Sequence, residues 1–89
     1  MNDPKPFDTV VSLAGHDSGR LYMVVGVRDG KLLLCDGRNR RTDNPKLKSP
    51  RHVRVTGRGE DAPAGDSGIR KTLALAAQVA AAKEERRLG

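Results

Sequence analysis

Asp29-Gly30, set between an apolar run and a second run of leucines, constrains this chain more than any other pair of residues. Both positions tolerate positive φ, so they favour a type I′ turn whose twist matches that of the paired strands it joins. Residues 21–28 are therefore expected to form one strand and residues 31–35 the next. Alternation puts Leu21, Met23, Val25 and Val27 on one face, with Tyr22, Val24, Gly26 and Arg28 on the other. Upstream, the β-branched stretch from Thr9 to Leu13 suits a half-buried strand. Gly15, Asp17, Ser18 and Gly19 then supply positive φ and side-chain-to-backbone bonds, as a turn requires.

Beyond Asp36-Gly37 the pattern changes. Residues 38–50 hold one large apolar residue, Leu47, and are expected to form a long basic loop. His52-Val53-Arg54-Val55 alternates as a short last strand, with Val53 and Val55 inward. The expected core is Val11, Leu13, Leu21, Met23, Val25, Val27, Leu32, Leu34, Val53 and Val55, with Cys35 as a small buried neighbour. Tyr22 is expected at the edge with its hydroxyl wet. Residues 1–57 are expected to form this β unit and residues 58–68, rich in glycine, a linker. Residues 69–88, dominated by Ala, Leu, Lys, Glu and Arg after a cap at Asp66 or Ser67, are expected to be a helix. Its stripe of Ile69, Leu73, Ala76, Ala77 and Ala80, flanked by Leu75, Val79 and Ala82, has to cover either the β unit or a partner. One Phe, one Tyr and no Trp in 89 residues leave material for a single aliphatic core. A lone Cys35 forms no internal disulfide, which predicts a reducing, cytoplasmic setting. The apolar run 73–82 is about half of the roughly 20 residues that span a bilayer, so no membrane partner is expected.

The charge is concentrated. Of a net +6, residues 31–59 contribute +7, with nine basic and two acidic residues. Seven cations, Arg38, Arg40, Arg41, Lys46, Lys48, Arg51 and Arg54, fall within seventeen residues, the footprint of a polyanion binder. Guanidinium forks favour bidentate phosphate contacts and stacking on unpaired bases, hence folded RNA with loops rather than plain duplex. With only Phe7 and Tyr22 to stack, a single-strand binder built on rows of aromatics is excluded. No nucleophile–base pair stands out, and His16, Cys35 and His52 lack metal-ligand spacing. Residues 65–72 imitate a phosphate-binding loop, but Arg70 stands where its second glycine belongs. No enzyme activity, catalytic residue, metal or cofactor is expected.

Val10-Val11-Ser12-x-Ala14-Gly15-x-Asp17-x-Gly19-Arg20, followed by Asp36-Gly37, Arg40-Arg41, Pro45-Lys46-x-Lys48 and His52-Val53, resembles the KOW RNA-binding proteins related to the large-subunit ribosomal proteins of archaea and eukaryotes. The KOW segment would run from Thr9 to Cys35, with Gly19 as its central glycine, and the likeness covers residues 7–55. KOW hairpins also occur in transcription elongation factors of the NusG type. The resemblance implies a mainly β fold, a small SH3-like (KOW) barrel followed by a C-terminal α-helix. It also implies an RNA partner, ribosomal RNA above all, in a ribonucleoprotein of translation. Gly15, Asp17, Gly19, Arg20 and His52 then join the seven cations as RNA-binding residues, and ribosomal proteins become partners for the helix. The chain departs from the pattern at Asp8 and Thr9, where relatives often have Gly, and at His16 and Leu47, where they often have Arg or Lys. The rival reading is a protein-interaction adaptor working through the SH3-like surface and the Ala-rich helix. Because residues 60–89 are net neutral, RNA binding is expected to survive loss of the helix.

Overall fold

The computed structural model describes residues 3–88, with side chains through residue 79. Five strands, β1 Thr9–Ser12, β2 Leu21–Arg28, β3 Lys31–Cys35, β4 Lys46–Lys48 and β5 Val53–Gly57, precede one helix, α1 Gly65–Leu88. The strands form one antiparallel sheet in the order β4-β3-β2-β1-β5, and a 3-10 turn at Pro50–His52 joins β4 to β5. Asp29 and Gly30 both take positive φ, 50° and 78°, and Arg28 pairs with Lys31 to close the hairpin.

The sheet buries both faces, where the sequence suggested one. On the first, Val10, Tyr22, Val24, Leu32, Leu34 and Val53 form a core with Val55 packed against it. Val53 of β5 shares this core with the leucines of β3, although β2 and β1 separate those strands in the sheet. On the second, Met23 and Cys35 pack against Ile69 and Leu73 of α1, with Leu21 and Val25 alongside. A register shift between Val24 and Gly26 interrupts the alternation along β2. Such a bulge changes which face the following side chains take, and Val27, an expected core residue, ends 55% exposed. Leu13, just past the end of β1, is exposed as well, and Val11 is half-buried. Tyr22 lies in the core, at 3% exposure, instead of at a wet edge.

The expected loop 38–50 contains a strand. β4 pairs with β3 through Leu32↔Lys48, Leu33↔Leu47 and Leu34↔Lys46, which places Lys46 and Lys48 on the face of the two core leucines. The helix begins at Gly65, four residues before the expected start at 69, and its stripe lies back on the sheet. Ile69 is fully buried, Leu73 nearly so, Ala76 half-buried and Ala77 exposed, while the side chain of Ala80 lies outside the described residues.

A clasp ties the N-terminal segment to the end of β5. Asp8 is buried and accepts from Arg58 Nη1 at 2.6 Å, the Lys5 amide at 2.9 Å and the Gly59 amide at 3.3 Å. A Cβ at Gly59 would collide with the Phe7 carbonyl, so only glycine fits there.

Burial of Cys35, together with the charges of Asp66, Asp36 and Asp43, pushes its thiol pKa up to about 11. Thiolate, not thiol, is the reactive form, so at pH 8 the folded protein should react with a disulfide reagent about 100-fold more slowly than the urea-unfolded chain. Equal rates would place Cys35 outside the core.

Candidate nucleic-acid interface

The turn joining β1 to β2 is closed by its own backbone. Gly15 and Gly19 take φ of 84° and 88°, and a Cβ at Gly19 would meet nothing within 4 Å. Gly19 therefore serves the turn conformation and leaves open space above it. The amides of Ser18, Gly19 and Arg20 donate to Gly15 O, Ser12 O and Asp17 O. These three N–H groups are therefore bonded within the turn and β1.

Asp17 sits under this turn, 7% exposed, and gathers four donors. Ser12 Oγ and Lys48 Nζ donate to Oδ1 at 2.9 and 2.8 Å, while Lys46 Nζ and Tyr22 OH donate to Oδ2 at 2.5 and 3.3 Å. Lys48 Nζ also donates to Ala14 O at 2.9 Å. Burial pushes the carboxyl pKa up, but the bonds from Lys46, Lys48 and Ser12 outweigh it and hold the group well below the usual carboxylate range. Burial, then the charge of Asp17, pushes the Tyr22 phenol up. Asp17, Lys46 and Lys48 thus form an internal cluster. An acceptor-only carboxylate repels phosphate, and both ammonium groups already hold a partner.

That cluster joins two of the basic segments, and a backbone bond adds a third. Lys46 and Lys48 tie β4 to the β1–β2 turn, and the Leu13 amide donates to His52 O at 2.8 Å, bringing the 3-10 turn with Arg51 and His52 to the end of β1. Between β3 and β4, Asp36 folds the loop on itself: its Oδ1 accepts from the amides of Arg38 and Arg40 at 2.8 and 2.9 Å. Arg40 O in turn accepts from the amides of Asp36 and Gly37. The side chains of Arg20, Arg38, Arg40, Arg51 and Arg54 have no hydrogen-bond or ion-pair partner among the described residues. Arg41 differs, its Nε lying 3.4 Å from Asp66 Oδ2 with the side chain 62% exposed. Exposed pairs of this kind contribute little, so its guanidinium stays available in part.

Asp8, Arg58, Asp66 and Arg70 carry structure that the sequence reading missed. Each pairs across 24 or more positions (Asp66 with Thr42, Arg70 with Gly37, Arg58 with Asp8), and no local pattern signals such a contact. The lysines of β4 did leave a signal, since Lys-Leu-Lys alternates with period two.

A groove of about 510 Å³ lies between sheet and helix, lined by Leu21, Val55, Ala76, Val79 and Arg54 among others. Among the described residues no helix is long and apolar enough to cross a membrane. No family model matches the chain, and no curated protein matches it.

Proposed function

We propose that the chain is an RNA-binding protein of the KOW kind that works in the cytoplasm with the ribosome or other translation RNA, its sheet being a small SH3-like barrel. One observation carries this reading. The buried acids Asp8 and Asp17 and the half-buried Asp66 take up Arg58, Lys46, Lys48 and part of Arg41, yet the guanidinium groups of Arg20, Arg38, Arg40, Arg51 and Arg54 are unpaired among the described residues. Arg20 ends the turn that Lys46 and Lys48 tie to β4, Arg38 and Arg40 lie on the loop before β4, Arg51 on the 3-10 turn after it, and Arg54 follows on β5. Guanidinium forks held on short loops suit phosphates and unpaired bases of folded RNA. Gly19 leaves room for a backbone to approach, and His52 lies beside Arg51 on the exposed 3-10 turn.

Five neutralised phosphates predict a log K against log salt slope of magnitude about 3.5–4.5. A salt series with a stem–loop RNA reads it directly, and a slope near zero overturns the proposal. Reversing Arg38 and Arg40 to Glu together should weaken binding about 100-fold, at charge-assisted bond strengths, while leaving the melting temperature nearly unchanged. Loss of folding in that variant would show those residues to be structural.

A second reading, docking of a protein partner, rests on Leu75 and Val79, which are 62% and 55% exposed, with Val79 also lining the groove. Leu75→Ser with Val79→Ser should abolish an interaction of that kind and leave the salt slope for RNA unchanged.

A further inference from the structure

We propose that the first turn of α1 belongs to the binding apparatus, with Asp66 and Arg70 as positioning residues that hold the loop between β3 and β4 so that Arg38 and Arg40 meet a polyanion. This rests on the RNA-binding reading above. From Asp36 to Asn44 the loop has no apolar side chain, so hydrophobic burial cannot order it. Its order comes from polar contacts; outside the loop, Cys35 Sγ of β3 donates to Arg41 O at 3.3 Å, and the side-chain contacts to Gly37, Arg41 and Thr42 come from α1. Asp66 Oδ1 accepts from the Thr42 amide at 2.8 Å, and Oδ2 accepts from Thr42 Oγ1 and Arg41 Nε at 3.4 Å each. Arg70 Nη1 donates to Gly37 O at 2.6 Å.

Gly37 is where loop and helix touch. It is buried, with φ of 78°, and a Cβ there would lie 2.5 Å from Asp66 O and 2.8 Å from Arg70 Cγ. Loop and helix are thus joined on both sides of the Arg38–Arg40 segment, at Gly37 and at Thr42. The intervening amides are fixed by Asp36. These contacts are separate from the packing of the helix, which Ile69 and Leu73 provide.

Positioning and simple charge make opposite predictions, which gives the test its sign. Removing Asp66 takes a negative charge from a polyanion binder, and charge alone predicts tighter binding. If Asp66 holds the loop, Asp66→Ala binds a labelled stem–loop RNA about three- to tenfold more weakly, the cost of ordering the loop without those bonds. Asp66→Asn keeps an acceptor for the Thr42 amide and binds at least as tightly as the parent chain. A second pair of variants removes equal charge: Arg70→Met loses the bond to Gly37 O, whereas Lys71→Met, at an exposed neighbour, loses charge only. Arg70→Met is expected to weaken binding severalfold more than Lys71→Met at the same salt, with every variant checked for a cooperative melt. Tighter or unchanged binding by Asp66→Ala, or equal effects of Arg70→Met and Lys71→Met, would overturn the positioning role while the RNA reading stands. If the parent chain itself fails to bind RNA at low salt, the RNA reading falls and takes this proposal with it.

Discussion

Asp17→Ala is expected to destabilise the protein by about 3 kcal/mol, because it leaves two ammonium groups facing the core without their counter-charge. The register of β4 forces this outcome. Lys46 and Lys48 share a face with the buried leucines 32 and 34, and the Lys48 side chain is only 9% exposed. Lys46 keeps 30% exposure and can turn to water, which places the expected cost at the low end for a broken buried pair. Ser12 and Tyr22 lose their acceptor in the same variant. Replacing Asp17, Lys46 and Lys48 together with apolar residues of similar size should recover most of the loss, since a buried ion cluster adds little over packing of equal volume. Acid has the same target. The folded-state pKa of Asp17 lies below its ordinary value of 3.8, so the associated stability is present in full above about pH 5. It is lost as pH falls below about 4 and on through the strongly acid range. Urea midpoints from pH 7 to pH 2 should fall more steeply for the parent chain than for Asp17→Ala. A variant within about 1 kcal/mol of the parent, or with the same acid profile, would remove the cluster from the account of the fold.

What was legible in the sequence follows from which interactions are local. The hairpin at Asp29-Gly30 depends on two residues that adopt positive φ, and both do. The second core was signalled less clearly. Tyr22, Met23, Val24 and Val25 are four consecutive apolar residues, and an unbroken run marks a strand covered on both faces, whereas strict alternation marks one covered face. Assigning Leu21, Met23, Val25 and Val27 to the only core face ignored that run and the bulge that interrupts it. The charge cluster in residues 31–59 was visible as composition, but composition cannot say which cations hold internal carboxylates. Lys46 and Lys48 do, because a three-residue strand turns them inward, while Arg38 and Arg40 lie on a loop whose tight turn around Asp36 holds their amides. Asp17 looked like a turn residue beside a ligand, and it became the anchor that joins β4 to the turn. The clamp of Asp66 on Thr42 spans 24 positions and depends on where the helix docks, which Ile69 and Leu73 decide.

That docking changes what removal of the helix should do. The sequence suggested that a chain ending at Gly59 would fold and bind RNA. The structure predicts instead that such a chain has no cooperative melt at 25 °C. Ile69, fully buried, and Leu73 cover Met23 and Cys35, with Leu21 and Val25 at the margin. Fully burying one such side chain contributes about 1.5–3 kcal/mol, so losing two of them and re-exposing their partners removes about 6–12 kcal/mol as an upper estimate. A domain of this size has about 4–13 kcal/mol in total. Ile69→Ala alone should cost about 2–5 kcal/mol and leave a folded but weaker protein, which thermal melts of the full chain will measure. A truncated chain that melts cooperatively within a few degrees of the parent would show the second core to be dispensable. Because truncation unfolds the sheet that carries Arg20, Arg51 and Arg54 and also releases the loop carrying Arg38 and Arg40, loss of RNA binding in that chain says nothing about contacts made by the helix. Only substitutions that leave Ile69 and Leu73 in place, those at Asp66 and Arg70, separate the helix as a structural cover from the helix as a guide for the basic loop.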